Sequence, residues 1–170
     1  MREAMADSAG VVTDDELGRI LPSGARRDSA PYAVLECVQE IPCDPCVKAC
    51  PRGAITIEGN LNETPRIDYD LCNGCGLCVA KCPGLAIFVV HPAFSRTEAL
   101  VMMPYEFVPL PAKGEIVEVL DRQGRTRGEG RVVKILNARG QDRTPIVSVA
   151  VPGDVAHEVR FFRRINRPEA

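Results

Sequence analysis

The spacing of the eight cysteines constrains this chain more than any other feature of its sequence. The cysteines form two sets of four, and proline follows the last member of each set. The gaps are five, two and three residues in the first set and two, two and three in the second. An offset of 32 residues aligns CDPCVKACPRGAITI with CGLCVAKCPGLAIFV, which indicates an internal repeat. The members are Cys37, Cys43, Cys46 and Cys50, followed by Cys72, Cys75, Cys78 and Cys82.

The composition of the chain limits the possible roles of these cysteines. The formal net charge of −2 argues against a nucleic-acid binder held by phosphate contacts. No apolar run approaches the ~20 residues of a membrane-spanning helix, and the first residues lack the apolar segment of a secretory signal. We therefore expect a soluble, cytoplasmic protein. In that reducing compartment eight cysteines favour metal or redox work over disulfide bonds.

The gaps between the cysteines suit an iron–sulfur cube. Four thiolates must surround one compact object, and two-residue gaps wrap a loop around it. The three-residue gap falls on a helical turn that proline ends, so the last cysteine is carried toward the opposite loop. Structural zinc is the main alternative, although the third cysteine of each set disfavours it. A 3Fe–4S cluster at the first site stays open, because the five-residue gap changes the reach of Cys37.

Residues 31–92 resemble the bacterial-type two-cluster ferredoxin family, whose run C-x2-C-x2-C-x3-C-P is matched by the second set. The resemblance implies two 4Fe–4S clusters in a ferredoxin-like α+β domain with a pseudo-twofold repeat. It also implies crossed ligation, with one cluster on Cys37, Cys43, Cys46 and Cys82 and the other on Cys72, Cys75, Cys78 and Cys50. Glu40 stands at the usual position of the first cysteine. Either Cys37 reaches in from the preceding segment, which we favour, or that ligand is not a cysteine.

The two loops differ in the backbone that faces the sulfurs. Gly74 and Gly76 in the second loop let N–H groups approach a negatively charged cluster. In the first loop, Asp44 adds negative charge and Pro45 has no N–H to donate. We therefore expect the cluster in the first loop to have the lower reduction potential.

The sequence divides into three predicted parts. Residues 1–30 form an N-terminal arm, in which Thr13 and Glu16 predict a capping box for a short helix. Residues 31–92 form the two-cluster domain, with strands near residues 32–35, 54–57, 66–68 and 86–90. Residues 93–170 contain no cysteine and predict a small β-rich, barrel-like domain with strands at residues 115–120, 131–136 and 145–151.

Two segments of the third part lie outside these strands. Prolines at positions 104, 109 and 111 predict an extended connector. Pro152-Gly153-Asp154 predicts the start of a closing helix, with Val155, Val159 and Phe162 on one face. A basic cluster in that helix is either a solvated helix end or a contact to an acidic partner subunit. Its members are Arg160, Arg163, Arg164 and Arg167.

A second resemblance covers more of the chain. The strings ECVQEIPCDPC, CPGLAIFVV, MPYEFVPLP and QDRTPIVSVAVP resemble small iron–sulfur subunits that accompany FAD-dependent dehydrogenases of amines and amino acids, similar to sarcosine oxidase or dye-linked proline and hydroxyproline dehydrogenases. This implies a non-catalytic relay subunit in a hetero-oligomer with an FAD-containing dehydrogenase subunit. An acceptor protein or the quinone pool would then take the electrons. The alternative is a free-standing, low-potential ferredoxin, but residues 93–170 favour the subunit because a free shuttle needs only the cluster domain.

Overall fold

The computed structural model describes residues 11–141 and 143–165. The α-helices are short: α1 (Asp14–Ile20), α2 (Arg26–Ser29), α3 (Pro45–Ala49) and α4 (Leu77–Lys81). The strands are β1 (Tyr32–Leu35), β2 (Ile55–Thr56), β3 (Arg66–Ile67), β4 (Ile87–His91), β5 (Glu98–Pro104), β6 (Ile116–Asp121), β7 (Thr126–Leu136), β8 (Ile146–Pro152) and β9 (Val159–Arg164). Two 3₁₀ turns occupy Arg139–Gln141 and Gly153–Val155.

One seven-stranded sheet dominates the structure. Its order is β1-β4-β5-β8-β7-β6-β9, and every neighbouring pair is antiparallel. Strands β2 and β3 form a separate antiparallel pair. This mixed architecture, with few helices, agrees with the predicted α+β class. The main sheet runs without a break from the cysteine-bearing region into the cysteine-free region through the pairing of β4 with β5.

Strands β1 and β4 are buried on both faces. Tyr32 and Val34 of β1 join Phe88 and Val90 of β4 in a core to which the other strands of the large sheet also contribute. The alternate residues of the same two strands pack in a second core with Cys46, Cys78 and residues of α4. Because side chains of a strand alternate between its faces, β1 and β4 separate the cysteine-bearing layer from the main core.

Each of the seven predicted strands has a counterpart, with ends that differ by at most five residues. The predicted strand at residues 32–35 matches β1, and that at 86–90 corresponds to β4. The capping box of α1 is also present, since the Thr13 hydroxyl accepts from the N–H of Glu16 and the Glu16 carboxylate accepts from the N–H of Thr13. The first ten residues of the predicted arm lie outside the described part of the chain.

The prediction of a closing helix is wrong. Its first residues form only the 3₁₀ turn Gly153–Val155, and the chain then pairs with β6 as strand β9. Val159 and Phe162 are buried in the main core as strand residues. Residues three or four apart satisfy a helical pattern by spacing alone, but the free edge of β6 offered this segment backbone hydrogen bonds.

The connector around the prolines is only partly correct. Residues Glu98–Pro104 form β5, which pairs with both β4 and β8 near the middle of the sheet. Pro104 is the last residue of this strand. The irregular connection therefore begins only after β5.

The division at residue 92 and the barrel-like description remain predictions. Within the described residues, no helix is long and apolar enough to cross a membrane.

Candidate iron–sulfur site

The eight cysteines lie on two loops that each lead into a short helix. Cys37 follows β1, Cys43 lies just before α3, Cys46 is in α3, and Cys50 ends that helix. In the second loop Cys72 and Cys75 precede α4, Cys78 is within it and Cys82 ends it. Cys46 and Cys78 are buried, Cys75 is exposed, and the other five are partly buried.

The two helix ends have matching local geometry. Cys50 (φ −85°, ψ 106°) and Cys82 (φ −80°, ψ 109°) leave the helical conformation at equivalent points of the repeat. The Sγ of Cys50 accepts a hydrogen bond from the N–H of Ala54 at 3.2 Å, and that of Cys82 accepts from Ala86 at 3.4 Å. Both sulfurs thus carry a backbone donor, which favours a charged thiolate bound to metal.

The chain brings the last cysteine of each set to the loop of the other set. Burial raises the pKa of the Cys46 thiol to about 11, and Cys82 is the nearby thiol that raises this pKa most. Burial, followed by the neighbouring Cys82, also raises the pKa values of Cys37 and Cys43. Cys82 therefore lies beside the first three cysteines of the first set.

The second loop has the converse arrangement. Burial raises the pKa of Cys78 to about 12, and the thiols of Cys72, Cys75 and Cys50 raise it further. These four cysteines also line one pocket of about 340 Å³ of empty space, part of it open to solvent, together with Gly74 and Gly76. Metal binding must displace protons from such thiols, because iron binds the thiolate.

Glycine is required in the second loop for close approach of two backbone segments. Gly74 has φ +67°, and a Cβ built on it would lie 2.6 Å from Cβ of Pro31 and 2.8 Å from its carbonyl carbon. The same approach lets the N–H of Ala33 donate to Sγ of Cys72 at 3.4 Å. The thiols, the backbone donors and the pocket of the second loop thus suit a negatively charged cluster held by thiolates.

Arg26 holds the second loop from outside and was missed by the sequence analysis. Its guanidinium donates to four backbone carbonyls that lie on two segments of the chain, those of Ala30, Pro31, Tyr69 and Cys72, at 2.8–3.0 Å. It therefore fastens the start of the second loop to the segment before β1. A single arginine in a short polar helix gives no sequence pattern that predicts this role.

The first loop lacks the glycines of the second. Asp44 precedes α3 with φ −134°, whereas Gly76 at the equivalent position has φ +80°. The Asp44 carboxylate pairs with Lys48 at 2.9 Å across one turn of α3. Both members of this pair are partly exposed, so the lysine offsets only part of the negative charge near the first loop.

A site for one bare metal ion is not found. In residues 11–141 and 143–165, no group of three or more Cys, His, Asp or Glu side chains is arranged to hold such an ion. A 4Fe–4S cube asks for a different arrangement, because each thiolate binds its own iron at a separate corner of the cube.

Comparison with known proteins identifies the cysteine-bearing segment. The family model described as a 4Fe–4S dicluster domain matches residues 36–86, which contain all eight cysteines. No solved structure matches the chain.

Curated relatives resemble parts of this chain. The pyruvate synthase subunit PorD of Methanothermobacter marburgensis is 47% identical over 47 residues, which are 28% of this chain and 51% of PorD. The ketoisovalerate oxidoreductase subunit VorC of the same organism is 34% identical over 64 residues, which are 35% of this chain and 81% of VorC. The translation initiation factor rli1 of Schizosaccharomyces pombe is 30% identical over 131 residues, covering 69% of this chain and 21% of that protein.

These matches cover different shares of the relatives. The chain spans about half the length of PorD and about a fifth of rli1, but most of VorC. The cysteine sets, the backbone donors to sulfur and the dicluster match agree with each other. The chain therefore belongs to the 4Fe–4S dicluster family, as a ferredoxin-type protein that carries two 4Fe–4S clusters.

Proposed function

We propose that this chain transfers single electrons through its two clusters, as the relay subunit of a multi-subunit oxidoreductase. The proposal depends mainly on the position of Cys82 beside the first set and of Cys50 beside the second. Two sites that exchange a ligand cysteine through the contacting helices α3 and α4 lie close together. A 4Fe–4S cluster, when bound, takes up and releases one electron at a time.

The proposed ligands are the two crossed sets. Cys37, Cys43, Cys46 and Cys82 hold the cluster of the first loop, and Cys72, Cys75, Cys78 and Cys50 hold that of the second. The N–H groups of Ala54, Ala86 and Ala33 donate to three of these sulfurs and stabilise their negative charge. The protein thus orients the ligands and limits the access of water to the buried thiols.

Electron exchange with a partner occurs on the side of the second loop in this proposal. Cys75 is exposed, and Leu77 in the next turn keeps 51% of its surface exposed. A partner that covers this apolar side chain would come near the cluster without crossing the main core. Because electron transfer weakens steeply with distance, an exposed ligand is the natural point of exchange.

The named relatives PorD and VorC are subunits of oxidoreductases, which supports a hetero-oligomer for this chain as well. A finer proposal, that the partner is an FAD-containing dehydrogenase of an amine or amino acid, depends on the resemblance of the four sequence strings alone. In this arrangement the flavin subunit oxidises the substrate, and this chain passes the electrons on in a reducing cytoplasm.

The crossed ligation is tested with four serine variants. Cys43→Ser and Cys75→Ser mark the EPR signals of the first-loop and second-loop clusters. We expect Cys82→Ser to alter the same signal as Cys43→Ser, and Cys50→Ser the same signal as Cys75→Ser. If Cys82→Ser instead alters the second-loop signal and Cys50→Ser the first-loop signal, the crossed assignment is wrong.

The subunit role is tested by purifying the native protein under anaerobic conditions, with iron and sulfide analysis and identification of co-purifying chains. About eight irons per chain and a stoichiometric flavoprotein are expected. Eight irons with no partner would indicate a free ferredoxin, and another oxidoreductase partner would remove only the flavin assignment. Two zinc ions would contradict the function altogether.

A further inference from the structure

A buried group of three charges lies immediately before Cys37. The Glu36 carboxylate accepts hydrogen bonds from Arg122 at 2.6 and 2.9 Å and from Nε of Arg160 at 2.5 Å. The side chains of Glu36, Arg122 and Arg160 are 7%, 11% and 4% exposed. We refer to these three residues as the Glu36 triad.

The triad is not explained by stability alone. Removing three charges from water is costly, and apolar side chains of similar volume are often equally stable in such positions. Here two guanidinium groups share one carboxylate, and Nη2 of Arg160 is buried without a hydrogen-bond partner. Arg160 also lies over the ring of Phe88, 5.0 Å from its centroid, which fixes its direction. Both guanidinium groups thus bond the same buried carboxylate, as a positioning role requires.

The triad is connected to two of the proposed ligands of the first-loop cluster. Cys37 is the next residue after Glu36. The N–H of Glu36 donates to the carbonyl of Ala86 at 2.8 Å, and the N–H of Ala86 donates to Sγ of Cys82 at 3.4 Å. A displacement of Glu36 would therefore disturb Cys37 directly and Cys82 through one intervening residue.

Beyond Cys37 the chain is irregular, and the contacts that support it there are the backbone hydrogen bond from Gln39 to its thiol and the packing of Val38 on the main core. Residues 36–44 contain no helix or strand, and five residues separate Cys37 from Cys43. The equivalent cysteine of the second loop is only two residues from its neighbour and is fastened through the Arg26 contact to its carbonyl. The first loop has this longer gap, and the triad stands on its N-terminal side.

We propose that Arg122 and Arg160 are positioning residues for the first-loop cluster, acting through Glu36 to hold Cys37. Arg122 lies in the turn after β6 and Arg160 in β9, so the cysteine-free part of the chain fixes a ligand of the cysteine-bearing part. This inference depends on the proposed ligation of that cluster by Cys37.

The test compares Glu36→Gln and Arg160→Lys with the control Glu118→Gln. Glu36→Gln keeps the shape of the side chain, and Arg160→Lys keeps the charge but loses the planar fork. Glu118 of β6 pairs with Arg163 of β9 at the surface, where an ion pair adds little. Each protein is purified anaerobically with its clusters, and iron release to a chelator and the EPR spectrum are recorded.

We expect the two triad variants to release iron from the first-loop cluster about tenfold faster and to develop a 3Fe–4S signal on air oxidation, because outer partners of metal ligands typically contribute 10–100-fold in affinity. The second-loop signal should stay unchanged, and Glu118→Gln should match the parent protein. Equal loss of both clusters, or no change in either, would overturn the proposal.

Two further proteins keep the outcome interpretable. The triple variant Glu36→Leu, Arg122→Leu, Arg160→Met replaces the charges with apolar groups and should fold, yet it should show the same selective iron loss. Retention of a normal first-loop cluster in a folded triple variant would also overturn the positioning role. Cys37→Ser tests the premise that Cys37 is a ligand. If this variant leaves the first-loop signal intact, the proposed ligation is wrong. If it alters that signal while the triad variants do not, only the present inference is rejected.

Discussion

Replacement of Gly74 by alanine should destabilise the second loop through two separable effects. The left-handed backbone at φ +67° costs a residue with a Cβ about 1–2 kcal/mol. The added Cβ would also lie 2.6 and 2.8 Å from Cβ and the carbonyl carbon of Pro31. Backbone cannot move aside as a flexible side chain can, and overpacking of this kind costs about 1–3 kcal/mol. The expected total is about 2–5 kcal/mol.

Gly124 provides the matched control for this change. It has φ +75°, and nothing lies within 4 Å of a Cβ built on it. Gly124→Ala should therefore cost only the backbone strain, about 1–2 kcal/mol. For a chain of this size, about 2–4 °C of midpoint corresponds to 1 kcal/mol, so Gly74→Ala should melt roughly 10 °C below the parent and Gly124→Ala roughly 4 °C below it.

The assay is thermal unfolding of the cluster-loaded protein, followed by cluster absorbance and far-UV circular dichroism at one fixed scan rate. A fixed rate is needed because cluster loss makes unfolding irreversible. Displacement of the loop should also weaken the second-loop EPR signal in Gly74→Ala but not in Gly124→Ala. Equal midpoints for the two variants would refute the argument that contact with Pro31 is what requires glycine at this position.

Three further predictions follow from contacts described above. Arg26→Ala should cost about 3 kcal/mol in chemical denaturation and loosen the second-loop cluster, because four carbonyls lose a charged donor; Arg27→Ala, one residue away, should cost under about 1 kcal/mol. Burial lowers the pKa of His157 to about 4 in the folded protein, whereas in the unfolded chain it stays at about 6.5. As the pH falls below about 6.5, the unfolded chain therefore binds this proton before the folded protein does. Stability should therefore fall by about 1 kcal/mol between pH 6.5 and 5, and a His157→Gln protein should lack this component in denaturant titrations. The first-loop cluster should have the lower reduction potential in a redox titration, and Asp44→Asn should raise that potential without moving that of the second-loop cluster. A higher first-loop potential would contradict the reasoning from Asp44 and Pro45.

The cysteine spacing could predict the site because the determining information is local. A two-residue gap, a helical turn and a following proline place each sulfur within a short stretch of chain. The capping box at Thr13 and Glu16 is local in the same way. The dicluster match covers the segment that the spacing alone had marked.

The supporting contacts could not be predicted because they join distant parts of the chain. Glu36 meets Arg122 and Arg160 across 86 and 124 positions, and Arg26 meets Cys72 across 46. Nothing local distinguishes Arg160, which is buried, from Arg163, which lies at the surface of the same strand. The basic cluster is not a helix end, because Arg160, Arg163 and Arg164 lie on strand β9. Arg163 and Arg164 pair with Glu118 and Glu115, and Arg167 lies outside the described residues. A contact of this cluster to an acidic partner subunit stays a prediction.

One missed strand had a readable pattern. Buried Ala99, Val101 and Met103 alternate with less buried residues along β5, which is the two-residue period of a strand. Pro104 drew attention to a connector instead. The strand β9 is different, since its buried residues Val159, Arg160 and Phe162 follow no simple alternation and include a charge. Its pairing with β6 is decided by the sheet and not by its own sequence.

The double coverage of β1 and β4 has a practical consequence for anyone who wants a miniature electron carrier from this chain. A fragment trimmed to residues 31–92 would leave the outer edge of β4 without its partner β5 and would strip the cover from Phe88 and Val90. Such a fragment would expose an unpaired strand edge and apolar side chains, and it should aggregate during expression even when iron is supplied. A compact version is better sought by shortening the turns between the later strands, which leaves every layer of the protein in place.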